Sequence, residues 1–342
     1  MRRPRLAATA VVALVLLGGC SSGDDPADGG DGAVQGSLEE VPGVLLDGDA
    51  AALSPDGSRL AVPCGGRLCV WSTGDGSLAE QWDGGAVVAW GPGEQVATDR
   101  SDGDAVGVVV LDPETGEEVA AAEAHEAEVV QDDPGGGLRD LAFSPDGETL
   151  AGVGGDGVVR LWSADLADVV EVTGTGDAVA VAFAPDGSQL AVASSDAPAS
   201  VHDAASGESL GSLEGPAQGD VAWSDDGRSI ATASFALDAE AGTTIWDADS
   251  YDPVATRPLA GYRLAFTPGS DALVLSVKDE TDLVRWDWAG DEVRTLSGAT
   301  DTPRAVLVSP DGARVYAVSP RDGVLAWDAA GGDATTFDEP EG

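Results

Sequence analysis

Residues 141–163 read Leu-Ala-Phe-Ser-Pro-Asp-Gly-Glu-Thr-Leu-Ala-Gly-Val-Gly-Gly-Asp-Gly-Val-Val-Arg-Leu-Trp-Ser. Two turn signals divide this stretch into three short apolar runs. In Ser144-Pro145-Asp146-Gly147, proline presets the first central φ, aspartate bonds the backbone ahead of it, and glycine accepts the positive φ that completes the reversal. Asp156-Gly157 is a tight hairpin turn, and the run after it ends in Trp162. Strand, turn, strand, turn, strand is the reading, with periods too short for helices.

The same unit recurs along the chain. Its first turn appears as SPDG at Ser54, GPGE at Gly91, SPDG at Ser144, APDG at Ala184, SDDG at Ser224, TPGS at Thr267 and SPDG at Ser309. Between equivalent second positions, Pro55, Pro92, Pro145, Pro185, Asp225, Pro268 and Pro310, the intervals are 37, 53, 40, 40, 43 and 42 residues. A period of about forty in an all-β pattern is the signature of a radial array. A large residue precedes each turn: Leu53, Trp90, Phe143, Phe183, Trp223, Phe266 and Val308. Alanine stands before it in six copies, from Ala52 to Ala265. That alternation suits an innermost strand near a crowded axis.

The third strand of each copy ends in Val70-Trp71-Ser72, Val110-Leu111-Asp112, Leu161-Trp162-Ser163, Val201-His202-Asp203, Ile245-Trp246-Asp247, Arg285-Trp286-Asp287 or Ala326-Trp327-Asp328. A weaker fourth strand follows, as in Ser209-Leu210-Gly211-Ser212-Leu213. The expected fold is therefore all-β: a seven-bladed β-propeller of four-stranded antiparallel blades over residues 41–342. Closing such a ring calls for a strand from one terminus to complete a sheet with the other, and Val41–Leu46 and Ala334–Phe337 both have the character for it.

On these motifs, over roughly residues 41–338, the chain resembles the WD-repeat (WD40) family, with Leu150 to Ser163 as the nearest match. SPDG turns are also shared with propellers that resemble the TolB family. One departure is the Gly-His pair that usually precedes the inner strand. Only Ala124-His125 is similar to it, so the His-Asp network of typical blades is not expected to carry over.

The N-terminus has another character. Residues 1–19 combine Arg2, Arg3 and Arg5 with an apolar run from Leu6 to Leu17, the layout of a signal peptide and too short to span a bilayer comfortably. Leu17-Gly18-Gly19-Cys20 resembles the lipobox of bacterial lipoproteins. That resemblance implies lipidation of Cys20, which becomes the mature N-terminus on the outer side of the cell membrane. Residues 20–40 then form a flexible acidic linker of Gly, Ser, Pro and Asp. Cys64 and Cys69 flank Gly65-Gly66-Arg67-Leu68 at positions expected to face each other across a hairpin. A disulfide there is suited to a compartment outside the cytoplasm.

A formal net charge of -44, with Lys278 the only lysine, excludes nucleic acid as a natural partner, because a phosphate backbone calls for clustered Lys and Arg. The acidity reads as a solubility feature, with a cation-attracting surface as the alternative. Chemistry is thinly supplied. The two histidines, His125 and His202, lack neighbouring partners in sequence, and His202 stands where other copies carry Trp. No P-loop occurs. Trp82 and Trp288 fall outside the repeating positions and read as packing residues of the outer strands.

The long interval between the second and third copies places extra residues at 124–137, including Glu126, Glu128, Asp132 and Asp133. This is the candidate for a specialised loop, though without calcium-loop spacing. The sequence thus points to a monomeric, non-catalytic scaffold without a cofactor. It would be lipid-anchored and would present its loops to a protein, peptide or small ligand. The alternative is a propeller enzyme, a lactonase-like hydrolase or a cofactor-dependent oxidoreductase, working through channel-mouth carboxylates and a metal.

Overall fold

The computed structural model describes residues 50–93, 95–102, 105–126, 137–234 and 242–337. They form 28 strands in seven four-stranded sheets. Blade 1 holds β1 (Ala52–Leu53), β2 (Arg59–Cys64), β3 (Arg67–Ser72) and β4 (Leu78–Asp83). Blade 2 holds β5 (Val88–Trp90), β6 (Val96–Asp102), β7 (Ala105–Leu111) and β8 (Glu118–Glu126). Blade 3 holds β9 (Leu138–Phe143), β10 (Thr149–Gly154), β11 (Val159–Ser163) and β12 (Val169–Val172). Blade 4 holds β13 (Ala178–Phe183), β14 (Gln189–Ser194), β15 (Ala199–Asp203) and β16 (Ser209–Leu213). Blade 5 holds β17 (Asp220–Trp223), β18 (Ser229–Ala233), β19 (Thr243–Asp247) and β20 (Pro253–Arg257). Blade 6 holds β21 (Gly261–Phe266), β22 (Leu273–Val277), β23 (Leu283–Asp287) and β24 (Glu292–Leu296). Blade 7 holds β25 (Ala305–Val308), β26 (Arg314–Ser319), β27 (Gly323–Asp328) and β28 (Thr335–Thr336). The fold is the expected all-β, seven-bladed propeller.

In the copies that begin with serine, the first turn is built by its own side chains. Ser54 Oγ donates to Asp56 Oδ1 at 2.6 Å, the Ser58 N–H donates to the same carboxylate at 2.9 Å, and the Arg59 N–H donates to Ser54 Oγ at 2.9 Å. Ser144 with Asp146, and Ser309 with Asp311, repeat the arrangement. These bonds to the ionised form hold the Asp56 carboxyl down at about 2, led by the Ser54 hydroxyl. The fourth residue takes positive φ, 71° at Gly57 and 73° at Gly147.

That glycine also meets the turn of the preceding blade. A β-carbon on Gly57 would lie 2.8 Å from Cδ of Pro310, and one on Gly227 would lie 3.3 Å from Cγ of Pro185. Where blade 5 has Asp225 in place of proline, blade 6 has Ser270 in place of glycine. The contact there becomes a hydrogen bond, with the Asp226 N–H donating to Ser270 Oγ at 3.3 Å.

The core is a set of seven apolar clusters, each between two successive blades. Ala151, Val153, Val159 and Leu161 of blade 3 pack on Ala178, Val181, Leu190 and Val192 of blade 4. The seam between blades 7 and 1 is built the same way, from Leu60, Val62, Trp71, Tyr316, Val318, Ala326 and Phe337.

Two expectations change here. Every described sheet consists of strands contiguous in sequence, and the last is completed by Thr335–Thr336 of its own repeat. Among the described residues, packing closes the ring without an exchanged strand; Val41–Leu46 lies outside them. Residues 124–126 are not loop either. They extend β8 to nine residues, with His125 opposite Val106 and Ala124 buried. The added length of the second repeat goes partly into longer strands, since β6 and β7 each run to seven residues. Residues 127–136, with Glu128, Asp132 and Asp133, lie outside the described residues. So do the leader, Cys20 and the linker.

Candidate functional site: the central channel

The first strand of each blade lies at one edge of its sheet, and from blade 1 through to blade 7 each runs beside the first strand of the next, so these strands surround the axis. The positions four residues before each turn are equivalent in the repeat and make up one layer of it: Ala50, Val87, Asp140, Ala180, Asp220, Arg263 and Ala305. Four are small or apolar. Blades 3, 5 and 6 place charge in a crowded, half-buried position.

Both carboxylates bridge blades. Asp140 Oδ1 accepts the Leu141 N–H at 2.9 Å, and its Oδ2 accepts the Val181 N–H of the next blade at 2.9 Å. Asp220 Oδ1 accepts the Val221 N–H at 3.0 Å, and its Oδ2 accepts the Leu264 N–H of blade 6 at 2.8 Å. Burial pushes the Asp140 carboxyl up to about 7. The Val181 N–H and the Arg263 charge oppose that rise, and the like charge of Asp220 adds to it. Asp220 is raised for the same first cause, against the pull of Arg263. Charges on three separate blades therefore share one electrostatic environment across the channel.

Around this layer the ionisable groups are engaged with main chain. Arg139 donates to Asp177 at 2.6 Å, to the Ala178 carbonyl at 2.8 Å and to the Gly155 carbonyl at 3.1 Å. Asp99 is buried and accepts the Val87 N–H at 2.9 Å, and burial raises its carboxyl. Aspartates of the second turn tie it to neighbouring main chain and hydroxyls. Asp196 accepts the Asp177 N–H and the Ser194 hydroxyl, and Asp322 accepts the Thr300 and Asp301 N–H groups and the Ser319 hydroxyl.

The residues singled out from sequence take modest places. Cys64 and Cys69 form a disulfide at a Cα separation of 5.8 Å. They are diagonal in the hairpin and not opposite, since Cys64 pairs with Arg67 and Cys69 with Val62. A small ring of this kind contributes about 2 kcal/mol in the chain-entropy picture. His202 is fully buried, with its ring nitrogens 2.8 Å from Ser200 Oγ and 3.3 Å from the Gly207 carbonyl, and burial lowers its pKa. Trp82 is buried at the end of β4 against Gly116, and Trp288 meets Phe266 edge to face at 5.5 Å.

No group of three His, Cys, Asp or Glu side chains among the described residues is placed to hold a metal ion. A shallow pocket of about 180 Å³ opens at the seam, lined by Thr73, Asp75, Arg314, Tyr316 and Phe337 among others. The channel charges were not singled out from sequence, because with 61 acidic residues any pair can be drawn on paper. The available signal was positional: a charge where the aligned repeats carry alanine or valine.

These repeats and this channel define a seven-bladed β-propeller. The family model described as WD40: WD domain, G-beta repeat matches residues 127–163, the third repeat. No curated protein matches the sequence. Among solved structures, the chain is similar to one from the hydrazine synthase of Kuenenia stuttgartiensis, with a TM-score of 0.66 at 18% identity over 90% of this chain and 100% of that one. A likeness at that identity shows the fold alone.

Proposed function

We propose that the chain is a non-catalytic binding propeller, anchored outside the cytoplasm through a lipid on Cys20, that presents its loops to a protein, peptide or small ligand. The observation that carries this reading is the state of the inner ring. Asp140, Asp220, Asp177 and Arg139 are committed to main-chain and blade-to-blade bonds, the work of a rigid frame. The acidic surface keeps such a display soluble and turns away nucleic acid.

A second reading is a propeller enzyme drawing on channel carboxylates. Asp140, poised at about 7, is the observation in its favour, since a general base works best near the ambient pH.

The test uses the lipidated full chain as bait in detergent-solubilised membranes, beside a form lacking residues 127–136. A partner captured by the first and lost by the second is the expected result. Turnover of a substrate that disappears in Asp140→Asn would replace the scaffold reading with the enzyme. Independently, Cys20→Ala should move the protein from the detergent phase to the aqueous phase; retention in the detergent phase would refute the anchor.

A further inference from the structure

We propose that Asp140, Asp220 and Arg263 form a proton-responsive latch in the channel, which ties blade 3 to blade 4 and blade 5 to blade 6 and loosens as the layer gains negative charge. This goes beyond the binding role and does not depend on it.

Geometry is the first support. The three residues occupy the same register on β9, β17 and β21, and each carboxylate spends one oxygen on the main chain of the following blade. The blade 4 and blade 7 positions, Ala180 and Ala305, offer no such bond, so the ties are specific to two of the joints. The innermost strands have no further strand on the axial side, and a carboxylate accepting Val181 N–H or Leu264 N–H pairs donors at that open edge.

Charge is the second support. Facing Asp140 are Asp220 from blade 5 and Arg263 from blade 6. Arg139 lies next in its own strand, held by Asp177 of blade 4, and Tyr262 and Arg304 stand one residue earlier in blades 6 and 7. Asp99 comes from blade 2, and Ala50 to Leu53 of blade 1 bring no ionisable group. One arginine thus interacts with two aspartates. With both ionised the layer carries a net negative charge in a confined space; with Asp140 protonated it is neutral.

The folded state favours the protonated Asp140 relative to the unfolded chain, whose carboxyl ionises near 3.8. Stability from this group is therefore fully present below about pH 4 and is lost as pH rises to about 7, beyond which the loss is complete.

The experiment is a carboxyl-carbon titration of the full-length protein labelled at aspartate, followed by NMR, together with amide exchange at Val181 and Leu264. A carboxyl assigned to Asp140 by its absence in Asp140→Asn should titrate near neutrality, and Arg263→Met should move that midpoint upward. Protection of the Val181 amide should fall by several-fold across the same pH range in the wild type and stay flat in Asp140→Asn. Where Asp140→Asn does not fold, the Arg263→Met shift and the wild-type exchange profile decide. A midpoint below about 5, or a Val181 protection factor that ignores pH between 5 and 8, overturns the latch.

Discussion

Blades 5 and 6 end their third strands alike, in Trp246-Asp247 and Trp286-Asp287, and both indoles are almost wholly buried, at 3% and 2% exposure. Their polar edges differ. Trp246 Nε1 donates to Thr232 Oγ1 at 2.9 Å, two residues along β18 from the residue that faces Trp246. The equivalent residue of β22 is Leu275, and Trp286 Nε1 has no hydrogen-bond partner, although the Arg257 guanidinium lies 5.9 Å from its ring centroid. The repeated tryptophan is therefore selected for the volume it fills between blades, and its N–H is accommodated where a neighbour allows. The channel register shows the same freedom: blade 5 presents Asp220 and blade 6 Arg263 from one position.

If volume dominates, Trp246→Ala and Trp286→Ala should be the most damaging changes and should cost nearly the same, about 3–5 kcal/mol each by chemical denaturation. A difference of more than about 2 kcal/mol between them would mean that the indole N–H matters more than the ring. A narrower cut is Thr232→Val, which keeps shape and strips the acceptor from Trp246. The buried N–H left behind should cost about 1–3 kcal/mol. Leu275→Val in blade 6 serves as the control for trimming an apolar neighbour, with the usual loss for one buried methylene, about 1 kcal/mol. Equal losses would erase the distinction between the two blades.

These contrasts show which parts of the molecule sequence patterns report. Blade number, strand order and the buried faces were legible because volume and turn chemistry repeat: a proline-aspartate-glycine turn and a large residue before it have one physical solution in each copy. The ring seam was less legible, since packing between Trp71, Tyr316 and Phe337 leaves no mark at either terminus. Residues 124–126 read as connector, being part of an alanine-rich acidic run, until the partner strand Ala105–Leu111 is known to reach far enough to pair with them. The channel layer was not visible at all from composition. Asp140 and Asp220 gain their meaning from Val181 and Leu264, each about forty positions away on the next joined blade.

The smallest effect concerns the turns where the same two blades meet. Asp225 replaces the usual proline and Ser270 the usual glycine. Ser270 sits at φ 61°, a region that a residue with a β-carbon occupies at a cost. Its compensation is the hydroxyl that accepts the Asp226 N–H at 3.3 Å on an exposed part of the turn, a weak bond in competition with water. The backbone cost outweighs it. Ser270→Gly is therefore expected to stabilise the protein by about 0.5–1 kcal/mol, the usual gain from relieving a left-handed residue. Asp225→Pro should add to that gain in the double variant, because glycine at 270 restores the contact seen between Gly227 and Pro185. A melting temperature that falls in Ser270→Gly would show that the serine hydroxyl holds blades 5 and 6 together, making this joint polar where the Gly57–Pro310 joint rests on close packing.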